Sequence, residues 1–82
     1  MRDLVLYRRE GCSPCAEAAR GLAVIAAEFD GVAIRLVDVD DDPELARRLG
    51  PLVPVIELDG VLVCEFWLDE GAVRARLGSL SM

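Results

Sequence analysis

Residues 10–21 read EGCSPCAEAARG: two cysteines three apart, a proline between them, and an alanine-rich run behind. The pair falls where one element ends and another begins. Before it, residues 4–7 (LVLY) are a short continuous apolar run, which suits a strand buried on both faces. After it, residues 14–29 carry Ala18, Leu22, Ile25 and Phe29 at helical spacing. Cys12 therefore stands at a helix start, where free backbone N–H groups and the helix dipole stabilise a thiolate. Such a position takes a cysteine pKa from ~8.5 down to roughly 3.5–7.5. Cys15 lies one turn on, on the same face, so the two sulfurs can close a small disulfide ring. Pro14 is tolerated in the first turn because its missing N–H has no partner within the helix, and it stiffens the dithiol loop. Ser13 is expected to help satisfy the first-turn donors. Cys12 reads as an exposed nucleophile and Cys15 as the more buried, resolving thiol.

The rest of the chain builds outward from that junction. Asp30-Gly31 breaks the first helix, and residues 32–39 (VAIRLVDV) form a second strand rich in β-branched side chains. Asp42 as N-cap, Pro43 in the first helical position and Gly50 as C-terminal cap frame a short helix. Residues 54–58 (PVIEL) give a third strand, Asp59-Gly60 a hairpin turn, and residues 61–66 (VLVCEF) a fourth. A last helix runs from about Asp69 to Leu77. The order β-α-β-α-β-β-α implies a right-handed parallel crossover followed by an antiparallel edge. The expectation is an α/β fold over residues 1–82: one domain with a mixed four-stranded sheet and helices on its faces. Gly21 costs about 1 kcal/mol inside a helix, which predicts close packing against the sheet.

Composition narrows the chemistry. The 82 residues are 54% hydrophobic, with net charge −6, nine arginines and no lysine or histidine. An acidic chain argues against nucleic acid or an anionic membrane as partner. Without histidine there is no Cys-His pair, histidine base or histidine metal ligand. A structural zinc needs four ligands, and beyond the pair only Cys64 remains among the cysteines. Three cysteines do not fit a secreted disulfide framework. The apolar stretch near the N-terminus is too short for a signal-peptide core, and no run approaches the ~20 residues that span a bilayer. The reading is cytoplasmic.

Three segments together resemble the thioredoxin superfamily, and most of all its short glutaredoxin-like branch. LYRREGCSPC is similar to the glutaredoxin opening, VDVDDDPELARRLG to the stretch between second strand and second helix, and LVPVIELDG to the stretch with a cis Val-Pro bond facing the active site. The resemblance implies a thioredoxin-like fold, a cis Val53–Pro54 bond, and a substrate groove shaped by Val53 and Pro54 with Ser13 and Pro14. It aligns Arg9 with a basic residue able to stabilise the Cys12 thiolate, the alternative being a solvated arginine. The implied activity is thiol–disulfide exchange on protein or small-molecule disulfides by a monomer without a cofactor. The reductant is a thioredoxin-reductase-like protein or glutathione.

Departures from the family pattern separate the options. Where glutaredoxins resemble one another in a Gly-Gly pair followed by adjacent aspartates, this chain has Cys64 and Glu65, then Trp67 and Leu68. Glutathione is therefore expected to be a poor reductant. The tryptophan that precedes the first cysteine of thioredoxins is Gly11, and their buried first-strand aspartate is Leu6. Two alternatives stay open: a glutathione-dependent glutaredoxin, or a dimer holding an iron–sulfur cluster with Cys12 of each chain, and a thioredoxin-fold binding module without turnover. Elsewhere, Cys64 reads as a plain buried thiol, and Asp38, Asp40, Asp41, Asp42 and Glu44 as a capped helix start with solvated neighbours. Trp67 reads as an apolar anchor for the last helix.

Overall fold

β1 (Arg2–Arg8) runs through the middle of a four-stranded sheet, in a computed structural model that describes residues 1–78. It pairs in parallel with β2 (Val32–Asp38) and antiparallel with β3 (Val55–Leu58), and β4 (Val61–Glu65) forms the far edge, in the order β2-β1-β3-β4. α1 (Ser13–Ala27) carries the crossover from β1 to β2. α2 (Pro43–Leu49) lies between 3-10 turns at Val39–Asp41 and Gly50–Leu52, and α3 (Glu70–Gly78) ends the described chain. Element order and sheet type are those the sequence predicts, with ends shifted by at most two residues.

Local signals account for the boundaries. The Asp42 carboxylate accepts from the Glu44 N–H at 2.9 Å and caps α2, with Pro43 at its first position and Gly50 at its C-cap. Asp59 and Gly60 have φ of 52° and 85°, the left-handed pair that a two-residue hairpin requires. The Asp59 carboxylate also accepts from the Asp3 N–H at 2.9 Å and the Arg2 Nε at 2.6 Å, tying the hairpin to the start of β1. These bonds, the Asp3 N–H first, hold the Asp59 carboxyl below the usual range. The acidic run is consumed by capping and pairing. Asp38 accepts from the Asp40 N–H, Asp40 pairs with Arg9, and Glu44 pairs with Arg47 and Arg48. The solvated neighbours expected there are thus partly ion-paired.

The core forms on one face of the sheet. Leu4, Leu6, Ile56 and Leu58 meet Ala18, Leu22 and Ile25 of α1 and Val73 and Leu77 of α3. A fully buried leucine such as Leu6 contributes roughly 1.5–3 kcal/mol. Val5 alternates to the opposite face and is also buried, so β1 is covered on both sides. There the Tyr7 hydroxyl donates to Glu57 at 3.2 Å; burial, then the neighbouring carboxylate, raises its pKa. Among the described residues no polar or charged side chain is buried.

Gly21 does pack closely, but not on the sheet. A Cβ there would lie 2.5 Å from Cδ2 of Leu68, in the segment between β4 and α3. Topology brings the remaining pieces to one end of the molecule. β1 and β4 point the same way and β3 points back. The residues after β1, before β3 and after β4 therefore share one edge of the sheet.

Candidate active site

Cys12 and Cys15 are joined in a disulfide, with Cα atoms 5.2 Å apart. Cys12 is the N-cap of α1, and its Sγ accepts from the Cys15 N–H at 3.2 Å. The sulfur thus takes a first-turn donor that the sequence reading assigned in part to Ser13, while Ser13 itself lies exposed. A polarised N–H aimed at sulfur at a helix N-terminus favours negative charge on that sulfur. Cys12 is half-buried, whereas Cys15 is fully buried. One sulfur is open to a partner and the other waits behind it. Pro14 stands exposed between them, inside the first turn.

The loop before the pair is shaped by Gly11, whose φ of 81° is the left-handed region. Nothing lies within 4 Å of a Cβ built there, so backbone conformation rather than space selects glycine. Arg9, aligned with a basic residue able to stabilise the Cys12 thiolate, is ion-paired rather than merely solvated. Its guanidinium makes a two-pronged contact with Asp40, at 2.7 and 3.0 Å, and covers Gly50, where a Cβ would stand 2.9 Å from Nη2. The carboxylate raises the arginine pKa and is itself lowered. Arg8 forms a looser pair with Asp38 at 3.6 Å.

The Val53–Pro54 peptide bond is cis, as the resemblance implied. Pro54 is buried, Val53 is half-buried, and both precede β3 on the edge that carries the disulfide. The Leu52 carbonyl accepts from the Phe66 N–H at 3.0 Å, joining this turn to the end of β4. Leu6 fills the position of the thioredoxin aspartate and is a core residue.

The segment after β4 departs most from expectation. Phe66 has φ of 74°, unusual for a residue with a side chain, and ends the strand one residue early. The turn leaves Phe66 and Trp67 exposed, Trp67 by 65%, with ring centroids 6.4 Å apart. Leu68, not Trp67, is the anchor: it packs on the core and on Gly21. Asp69 caps α3, its carboxylate accepting from the Ala72 N–H at 3.0 Å. Cys64 is half-buried, its Sγ accepts from the Asp69 N–H at 3.5 Å, and burial raises its pKa. The thiol is thus only half-buried, where the sequence predicts a buried one. No grouping of three or more Cys, Asp or Glu suited to a metal ion occurs among the described residues. None of their helices is long and apolar enough to cross a membrane.

Comparison with known proteins bears on this arrangement. Residues 3–78 match the family model described as Glutaredoxin-like domain (DUF836). Among solved structures, a chloroplastic thioredoxin z superposes with a TM-score of 0.76 at 26% identity, covering 99% of this chain and 79% of that one. The structural-genomics target XcR50 from X. campestris gives 0.73 at 32% identity, covering 93% and 96%. A single-site mutant of a thioredoxin from Halobacterium salinarum gives 0.70 at 28% identity, covering 99% and 75%. No curated protein matches. Family match, fold and C-x-x-C pair agree: the chain belongs to the glutaredoxin-like family of the thioredoxin superfamily.

Proposed function

We propose that the protein is a thiol–disulfide oxidoreductase. The observation that carries this is the asymmetry of the pair: Cys12 accessible at the helix N-terminus, Cys15 fully buried one turn behind and bonded to it. In the reduced protein the Cys12 thiolate attacks one sulfur of a substrate disulfide. The substrate S–S bond breaks, one substrate thiolate leaves and takes up a proton, and a Cys12–substrate mixed disulfide forms. Cys15, losing its proton, then attacks the Cys12 sulfur and releases the second substrate thiol. Two electrons pass to the substrate, and the Cys12–Cys15 disulfide remains to be reduced by an external dithiol. The Cys15 N–H and the helix end stabilise charge on Cys12 as attacker and as leaving group. The Val53–Pro54 turn offers backbone for an extended substrate segment to pair with. The proposed partners are protein disulfides and a dithiol reductant in a reducing cytoplasm.

The experiment is reduction of a protein disulfide by the chain after pre-reduction and removal of reductant. Wild type is expected to reduce it, Cys12→Ser to be inactive, and Cys15→Ser to accumulate a mixed disulfide through Cys12. Activity that survives in Cys12→Ser would refute the assignment.

A further inference from the structure

A cleft of about 180 Å³ opens beside the first turn of α1. Pro14, Glu17 and Ala18 line it from α1, and Trp67, Leu68 and Glu70 from the segment that leads into α3. We propose that this cleft takes a lysine or arginine side chain of the protein whose disulfide is exchanged. The proposal rests on the redox reading above and names the class of substrate for the same site.

Four observations converge. The first is position. Pro14 lies between the two cysteines and also lines the cleft, so a side chain seated there sits within a residue or two of the reacting disulfide. The second is size. The cleft is below the ~300–1,000 Å³ of sites for whole small molecules, and matches one long side chain. The third is charge. The lining holds two carboxylates and no cation. Glu70 already pairs with Arg74, which also binds Glu28, but the Glu17 carboxylate has no ion pair or hydrogen bond among the described residues. The net charge of −6 adds a long-range pull in the same sense.

The fourth is the aromatic face. Trp67 is largely exposed at the cleft, and Phe66 stands beside it in a left-handed conformation. Such a conformation costs about 1–2 kcal/mol for a residue with a Cβ. The fold leaves Phe66 48% and Trp67 65% exposed in return. An indole and an unpaired carboxylate lining one cleft can receive a cation with an aliphatic stem, the stem against the ring and the charge on the carboxylate. An anionic or purely apolar side chain gains from only part of it.

Trp67 is the single tryptophan, so its emission reads the cleft directly. The test titrates the oxidised protein with short cysteine-free peptides, capped at both ends, that differ only in a central Arg, Leu or Glu. The Arg peptide is expected to shift Trp67 emission and to bind roughly tenfold tighter than the Glu peptide, with the gap closing as salt rises. Glu17→Gln should weaken the Arg peptide about two- to fivefold and leave the Leu peptide unchanged. Equal binding of the three peptides, preference for Leu, or no emission response overturns the proposal. So does a shift that follows protein concentration without peptide, which would assign the cleft to a second copy of the chain. The disulfide-reduction assay runs in parallel. If reduction fails while the Arg preference holds, the redox reading falls and the cation site stands; the reverse pattern removes the cation site alone.

Discussion

Leu68 occupies the space that a side chain at Gly21 would fill, its Cδ2 only 2.5 Å from where a Cβ would stand. This contact locks the segment after β4 against α1, one face of which also carries Pro14, Glu17 and Ala18. Gly21 thus gives up helix propensity to set the distance between the aromatic segment and the redox pair.

Substitution at this position has opposite expectations by size. Gly21→Ala gains about 1 kcal/mol of helix propensity and spends it moving the end of Leu68, for little net change. Gly21→Val cannot be relieved in this way and is expected to cost about 1–3 kcal/mol. Thermal denaturation checks it, with Tm falling by about 4–8 °C per kcal/mol in a domain of this size. A Gly21→Val protein as stable as wild type would mean that the contact is loose.

The reactivities of the three thiols should separate in the reduced protein. Cys12 is half-buried at the helix N-terminus, Cys15 is fully buried, and the Cys64 thiol is pushed up by burial. Alkylation at pH 7, followed by mass spectrometry, should label Cys12 first by a wide margin. Equal labelling of all three would remove Cys12 as nucleophile.

Glutathione is expected to reduce the Cys12–Cys15 disulfide poorly. The side chains of Cys64 and Glu65 fill positions where the related family has glycines. The Asp69 carboxylate is positioned as the cap of α3 by the Ala72 N–H, and Trp67 and Leu68 carry no carboxylate for an ammonium group. A glutathione-coupled assay should run well below ~1 turnover per second, with dithiothreitol or a dithiol protein doing better. Turnover at or above that rate would place the protein with the glutathione-dependent glutaredoxins.

Acid should loosen the hairpin–β1 junction. The Asp59 carboxyl is held below its ordinary value by the Asp3 N–H and by Arg2. Its contribution is present above the unfolded carboxylate value of ~3.9 and is lost as pH falls through the lower folded value. Asp59→Asn should therefore show a smaller loss of stability than wild type between neutral pH and the acid limb. Chemical denaturation across that range makes the comparison, and parallel curves would mean that the carboxylate does not couple to folding.

Much of this architecture is legible in the chain because its causes are local. The apolar run of β1, the helical spacing of Ala18, Leu22 and Ile25, the Asp42-Pro43 cap and the Asp59-Gly60 turn each follow from neighbours within a few residues. The disulfide geometry is local too, since two cysteines three apart at a helix start leave few other outcomes. The cis bond before Pro54 came from family resemblance, not from any property of the neighbouring residues.

Tertiary contacts decided the rest. Leu68 rather than Trp67 packs on the core, after a turn at the left-handed Phe66 that has no sequence signal of its own. Arg9 found Asp40, 31 residues away, because the two loops meet at one edge of the sheet. Gly21 packs on Leu68 only because α1 and the approach to α3 cover the same sheet face. Spacing along the chain specifies which elements form. Which side chains meet across them is settled by how the elements pack, and the cleft beside the cysteines exists only at that level.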